Sequence, residues 1–276
     1  MKLFLTGFKK MAESCAAKHF VLVHGACHGA WCWYKLVVLL EKYGHKVTAV
    51  DLAASGRNVE DRLQDLQTID DYHKPLYKFF EGLPDDDDED KVILVGHSLG
   101  CYAVSSAMER FQEKIGWGVF VSGIMLGPHL TMDDFPPNKV LGPDYYMDSE
   151  LKTIEVNGRI QTHMTSGKKF LAANYYQNSP PEDLELASLL VRPAKFFMDD
   201  ESKKQLLVSK EKYGSVRRAF IIGHALEDRA ETQRWNVEKN LPDAVWEIEG
   251  ADHMIMMSKP QELCDILVDI AGRENY

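Results

Sequence analysis

Three short stretches of the chain carry residue types that together can open an acyl bond. The first is Gly96-His97-Ser98-Leu99-Gly100. A serine hydroxyl is a weak nucleophile until a base takes its proton. Glycines on both sides of Ser98 permit a sharp turn between a strand and a helix, which projects Oγ above a sheet edge. The second stretch is His24-Gly25-Ala26-Cys27-His28-Gly29-Ala30-Trp31. Acyl transfer builds negative charge on the carbonyl oxygen, and preset N–H donors stabilise it, each worth roughly 10²–10³ in rate. Leu99, directly after the nucleophile, supplies one such donor, and Ala26 in the early glycine-rich turn is the natural second. The third stretch, Gly250-Ala251-Asp252-His253-Met254, offers an imidazole late in the chain as general base. His24 and His97 flank the two turns and are expected to shape them. His19, His45, His73, His163 and His224 sit in no such motif and read as surface or turn residues.

These stretches need a frame that brings them to one edge. Strand and helix signals alternate along the chain, the pattern of a parallel sheet with crossover helices. Phe20 to Val23, His45 to Leu52, Lys91 to Val95, Gly118 to Ser122, Val216 to Ile222 and Val245 to Ile248 read as strands. Helices are expected over Trp31 to Tyr43, ending at Gly44, after Gly100 through Met108 and Phe111, and from Gln261 to Ala271. The stretch from about 127 to 210 breaks the rhythm with prolines, Met, Tyr and Phe, and with short amphipathic pieces such as Glu182 to Leu190. It is expected to be an inserted helical cap over the carboxyl edge of the sheet, where open α/β sheets place their sites. The predicted class is therefore α/β: an α/β-hydrolase fold with a mostly parallel central sheet, helices on both faces and that cap. Residues 1–18 are expected to form a flexible N-terminal arm, and 19–276 a single domain.

Composition removes several alternatives. The formal charge of -10 argues against nucleic acid or an anionic membrane surface as partner. Much of the acidic excess sits in the run Asp85 to Asp90, which reads as a solvated loop. No apolar stretch approaches the roughly 20 residues a membrane span needs. Five cysteines, Cys15, Cys27, Cys32, Cys101 and Cys264, form no metal-ligand spacing and suggest reduced thiols in a cytoplasmic protein.

Phe20 to Trp31, Ala49 to Leu52, Gly96 to Gly100, Glu182 to Ala187, Tyr213 to Arg218 and Ala251 to Met254 closely resemble the plant methylesterase and hydroxynitrile lyase family. The resemblance spans residues 18 to 271 and is nearest to the polyneuridine aldehyde esterase-like branch of monoterpenoid indole alkaloid pathways. It implies Ser98 as nucleophile, His253 as base, and Ala26 and Leu99 as oxyanion donors. Gly25 and Met254 stand where the lyases carry threonine and lysine, which favours ester chemistry. Gly25, Tyr145, Phe197 and Met254 are the substrate-binding candidates. Tyr146, Met147, Phe170, Tyr175, Tyr176, Phe196 and Met198 add to an aromatic, Met-rich cap suited to an apolar polycyclic substrate.

One departure matters. The family's catalytic aspartate follows the strand that here is Ala219 to Ile222, but this chain continues Gly223-His224-Ala225-Leu226-Glu227-Asp228-Arg229. Leu226 or Ala225 falls at the acid position, depending on the side from which the loop is aligned. Two readings stand: Glu227 or Asp228 serves as a displaced acid, or Ser98 and His253 form a dyad. Loss of a triad acid lowers kcat by roughly 10⁴ but leaves catalysis from the oxyanion hole and binding. That favours an activated ester, such as a β-formyl methyl ester whose freed acid loses CO₂. Cys101, where relatives carry glycine, is expected only to alter packing behind the turn. The resulting expectation is a carboxylic (methyl) ester hydrolase that needs no metal or other cofactor. Its partner is a small-molecule ester, and a homodimer is compatible because dimers occur among relatives. A non-hydrolytic lyase, decarboxylase or cyclase using the same pocket, and a non-catalytic receptor, are the rival readings.

Overall fold

The computed structural model describes residues 16–84, 91–135, 143–156, 158–223 and 225–273. Most of the expected arm, the acidic run Asp85 to Asp90, Cys15 and His224 lie outside the described residues. Along the chain come β1 (His19–Val23), α1 (Tyr34–Lys42), β2 (Lys46–Val50), α2 (Ile69–Glu81), β3 (Val92–His97), α3 (Gly100–Arg110) and β4 (Ile115–Val121). Next are β5 (Glu150–Val156), β6 (Arg159–Thr165), α4 (Lys168–Asn174), α5 (Pro181–Leu190), β7 (Ala194–Lys195) and α6 (Asp200–Gln205). The chain then forms β8 (Arg217–Ile222), α7 (Glu227–Lys239), β9 (Ala244–Glu247), α8 (Ile255–Ser258) and α9 (Pro260–Gly272).

Six of these strands pair in the order β2-β1-β3-β4-β8-β9, every neighbour parallel. Strand side chains alternate between faces, so a parallel sheet covered on both sides needs apolar residues at nearly every position. Val21, Val23, Val92, Leu94, Phe120 and Phe220 pack on one face with Ile69, Tyr72, Leu76 and Phe80 of α2. Phe20, Leu22, Ile93, Val95 and Ile221 pack on the other with Leu36 and Leu40 of α1 and Leu263, Leu267 and Ile270 of α9. Helices thus cover both faces, and the carboxyl ends of all six strands open on one edge.

The insertion between β4 and β8 corrects one expectation. It is not purely helical: β5, β6 and β7 form a three-stranded antiparallel sheet beside α4, α5 and α6. Lys195 and Gln161 dock this small sheet on the core. The Lys195 ammonium donates to the Leu66 and Gln67 carbonyls at 2.7 and 3.0 Å, and Gln161 reaches the Gln64 carbonyl at 3.3 Å. Helix α2 is a second difference, since the sequence reading placed no element there. Thr68 and Asp71 close a capping box at its start, and Pro75 lies inside it. Pro75 stands at the middle of the helix and lacks the N–H that would bond four residues back, so α2 owes its stability to its cap and its buried face. The described cysteines, Cys27, Cys32, Cys101 and Cys264, are free and buried. No described helix is long and apolar enough to cross a membrane.

Candidate active site

Ser98 sits between β3 and α3 with φ at +52°, in the left-handed region that a side chain enters only when its surroundings hold it there. Its N–H donates to the Val121 carbonyl at 3.0 Å, and its own carbonyl accepts from Cys101 N–H at 3.0 Å. The flanking glycines are required by close approach. A Cβ at Gly96 would stand 2.5 Å from Val104 Cγ2, and one at Gly100 would stand 2.5 Å from the His24 carbonyl oxygen. A Cβ at Gly25 would lie 2.9 Å from Ser98 Cβ. Gly25 therefore keeps space open beside the serine. Cys101 packs behind the turn, its thiol 3.3 Å from the Gly96 carbonyl oxygen.

Two backbone N–H groups in and beside this turn are the expected donors. No described acceptor takes the N–H of Ala26 or of Leu99, and both residues are only half-buried. Their direction is set through their peptide planes, because the C=O and N–H of a trans peptide point opposite ways. The Gly25 carbonyl, in the same peptide unit as the Ala26 N–H, accepts from His24 Nδ1 at 2.8 Å and from His28 N–H at 3.4 Å. His24 Nε2 in turn accepts from Leu52 N–H at 3.1 Å, so this imidazole is neutral and bridges the loop to the end of β2. Burial holds its pKa below the ordinary histidine range. His28 donates from Nδ1 to the Ala26 carbonyl at 2.8 Å and accepts the Tyr176 hydroxyl at Nε2, also at 2.8 Å. Burial brings the His28 pKa down to about 4. Asp51 adds a further anchor by accepting from Ala30 N–H at 2.7 Å. From the insertion, Arg192 N–H donates to the Cys27 carbonyl at 2.9 Å, and its guanidinium reaches the Gly56 and Asn58 carbonyls at 3.1 and 2.8 Å.

His253 comes to the same edge in the loop after β9. Its carbonyl accepts from His97 Nε2 at 2.8 Å, and the two rings lie 4.7 Å apart. On its other side the ring of Tyr175 lies 4.6 Å away. Asp252 was not anticipated. It is fully buried, and its carboxylate accepts from Asn178 N–H at 3.0 Å and Ser179 Oγ at 2.7 Å in the insertion. It also accepts from Met254 N–H at 3.0 Å and Ser258 Oγ at 2.8 Å within its own loop. Burial raises its pKa, against four hydrogen bonds that act to lower it. The sequence shows only an aspartate immediately before His253, and nothing local announces the partners that bury it.

The acid candidates stand apart. Glu227 pairs with Arg234 at 2.6 Å on the outer side of α7, and Asp228 is exposed beside it. Both carboxylates face solvent, because the first turn of α7 carries them outward. Leu226, at the helix N-cap, supplies no side-chain cap. Of the substrate-binding candidates, Tyr145 stands half-buried in a cluster with Ala26, Cys27, Met164, Phe170 and Tyr175. Phe197 is instead buried against Tyr72, with ring centroids 5.4 Å apart, and Met254 is fully buried in the core. Phe196, Met147 and Met198 are exposed. Phe196 and Met198 line a surface groove of about 860 Å³ on the small sheet with Arg159 and Ile160, which does not include Ser98. Two histidines read as surface or turn residues are core residues: His73 and His45 are buried. Among the described residues no His, Cys, Asp and Glu side chains gather as a metal site would require.

The family profile described as "Alpha/beta hydrolase family" matches residues 20–266. The chain belongs to the alpha/beta hydrolase family. Within it, this hydrolase is 46% identical over 263 residues to methyl jasmonate esterase 1 of Vitis vinifera, covering 94% of this chain and 98% of that protein. It is 44% identical over 259 residues to polyneuridine aldehyde esterase of Rauvolfia serpentina, covering 92% of this chain and 96% of that protein. Among solved structures, tomato methylketone synthase I complexed with 2-tridecanone superposes with a TM-score of 0.84 at 43% identity, covering 94% of this chain and 99% of that one.

Proposed function

We propose that this chain is a carboxylic ester hydrolase acting on the methyl ester of a small plant metabolite. The observation that carries the reading is Ser98, held at positive φ between two N–H groups without described acceptors, on the edge where His253 emerges. In this mechanism Ser98 Oγ attacks the ester carbonyl while His253 takes its proton. The oxyanion is held by the Ala26 and Leu99 N–H groups. His253 then returns the proton to the departing methoxide, which leaves as methanol. Water attacks the acyl-Ser98 species, again with His253 as base, and the collapse frees the carboxylic acid and restores the serine.

The substrate is an activated ester, with an aldehyde or imine β to the carboxyl, on an apolar polycyclic frame such as a monoterpenoid indole alkaloid. Hydrolysis of such an ester gives a β-formyl acid, which loses CO₂ to an enol that then takes up a proton. The solvent-facing positions of Glu227 and Asp228 support this choice, since an activated ester loses least when these two carboxylates do not orient the base. The same observation favours a second reading, decarboxylation of a free β-oxo acid in the same pocket without an acyl-enzyme. Methanol and CO₂ followed together on simple methyl esters, on β-formyl esters and on the free β-oxo acids separate the two. Stoichiometric methanol from wild type, abolished in Ser98→Ala, supports the hydrolase. CO₂ from the free acids with no methanol from any ester, unchanged in Ser98→Ala, overturns it.

A further inference from the structure

Arg229 lies in the first turn of α7, at the carboxyl edge of the sheet just past the end of β8. Its guanidinium sits over the Tyr145 ring, 5.3 Å from the centroid. Tyr145 belongs to the cluster that includes Ala26 and Cys27, so Arg229 stands on the rim of the candidate site. A row of rings runs from it to the base. Tyr145 and Phe170 are 5.6 Å apart, Phe170 and Tyr175 5.2 Å, and Tyr175 and His253 4.6 Å. The residue is half-buried, and burial lowers its pKa. Yet among the described residues no carboxylate lies within ion-pair distance of it and no side-chain hydrogen bond engages it. The contrast with Arg234 on the same helix is direct, since that exposed guanidinium holds both Glu227 and Glu247.

A partly desolvated guanidinium is costly unless a charge or good acceptors meet it. Its planar fork matches the two oxygens of a carboxylate or a phosphate, and of these a carboxylate is the group that the product of ester hydrolysis itself carries. From this we infer that Arg229 is a specificity-determining residue that binds a carboxylate on the substrate, remote from the ester cleaved at Ser98. The inference rests on the ester-hydrolase reading and narrows its substrate class to half-esters: an apolar body with a methyl ester at one end and an anionic group at the other. Tyr145 holds the guanidinium in place for that contact.

The test uses monomethyl and dimethyl esters of the same dicarboxylic acids, in a series of increasing chain length, with wild type, Arg229→Met and Arg229→Lys. Arg229→Met is expected to raise KM for the monomethyl esters about ten- to a hundred-fold, with kcat nearly unchanged and the dimethyl esters unaffected. Arg229→Lys restores part of the loss. Equal KM values for wild type and Arg229→Met on every monomethyl ester overturn the inference. So does an equal loss on both ester series, which would mean that Arg229 only latches Tyr145. Calorimetry of the free dicarboxylates binding to Ser98→Ala, with and without Arg229→Met, reads the same contact without turnover. If wild type cleaves neither ester series, calorimetry alone decides Arg229: no difference in affinity overturns its role, while the hydrolase reading is judged on β-formyl esters.

Discussion

The loops after β8 and β9 leave adjacent strands at the same edge of the sheet, and they are built in opposite ways. The β9 loop closes on a fully buried carboxylate, Asp252, that takes four hydrogen bonds, and the carbonyl of His253 is held by His97. The β8 loop passes into a helix whose N-cap is a leucine and whose first-turn carboxylates face solvent. A polar group in a low-dielectric surround is positioned firmly because any other arrangement leaves it unsatisfied. The contrast teaches that the His253 side of the candidate site is held by buried polar ties that owe nothing to Glu227 or Asp228. That second loop is free to vary without unfolding the first.

The sharpest way to break the comparison is to remove the groups on the well-tied side. Ser98→Ala and His253→Ala are each expected to lower methanol release by on the order of 10⁴-fold or more, measured on the best methyl ester. A residual rate near wild type would sink the acyl-enzyme. The complementary experiment repairs the looser loop. Ala225→Asp or Leu226→Asp is expected to raise kcat on unactivated methyl esters by between about ten-fold and 10⁴-fold, whichever position reaches His253. Leu226→Asp should also raise Tm, since it places a capping side chain worth about 1 kcal/mol where none acts. A gain in Tm without a gain in rate would place the acid position at residue 225.

Smaller effects refine the picture. Asp252→Asn is expected to lower kcat about ten- to a hundred-fold and stability by roughly 1–3 kcal/mol, because buried donors lose their acceptor. A denaturant melt beside a rate measurement checks both, and unchanged kcat would deny it a positioning role. The buried histidines should make stability respond to acid. His28 and His73 are buried with pKa values brought down to about 4 and about 3, so the unfolded chain binds protons there first. Their contribution is full above an unfolded pKa of about 6.5 and is lost progressively as pH falls toward 4. Tm should therefore drop over that window, and His28→Phe should flatten part of the slope. The smallest effect is expected at Glu227→Gln and Asp228→Asn. Each should change kcat by less than about two-fold, as exposed side chains usually do. A large loss in either would restore a displaced acid and undo the contrast.

Much of this was legible in the chain. Ser98, Ala26 and His253 stand out because a strained turn, a donor loop and a late imidazole each need local residue types that short motifs record. The six core strands were readable for a related reason, since burial on both faces demands unbroken apolar runs. The small sheet of the insertion was not. β5 is largely exposed and β6 buries only Gln161 and Met164, so apolar alternation there is weak, and only the Asn157-Gly158 pair signalled a hairpin. Helix α2 was hidden by Pro75, which argues against a helix wherever its start is not recognised. Asp252 was missed because its partners, Asn178 and Ser179, lie more than 70 positions away, and no local pattern links them to it.

Arg192 has a consequence for how such a protein can change over generations. Its backbone and guanidinium tie the variable insertion to the Cys27 carbonyl and to the loop at Gly56 and Asn58. The insertion can exchange rings and thioethers freely to accommodate new ligands, yet this position is bound to the donor loop it overlies. Recombination that grafts a foreign insertion onto this scaffold would keep its chemistry only if the graft brings along an equivalent of Arg192. Drift in selectivity and preservation of turnover are thus coupled at such seams, at Arg192 and also where Tyr176, Asn178 and Ser179 meet the site loops.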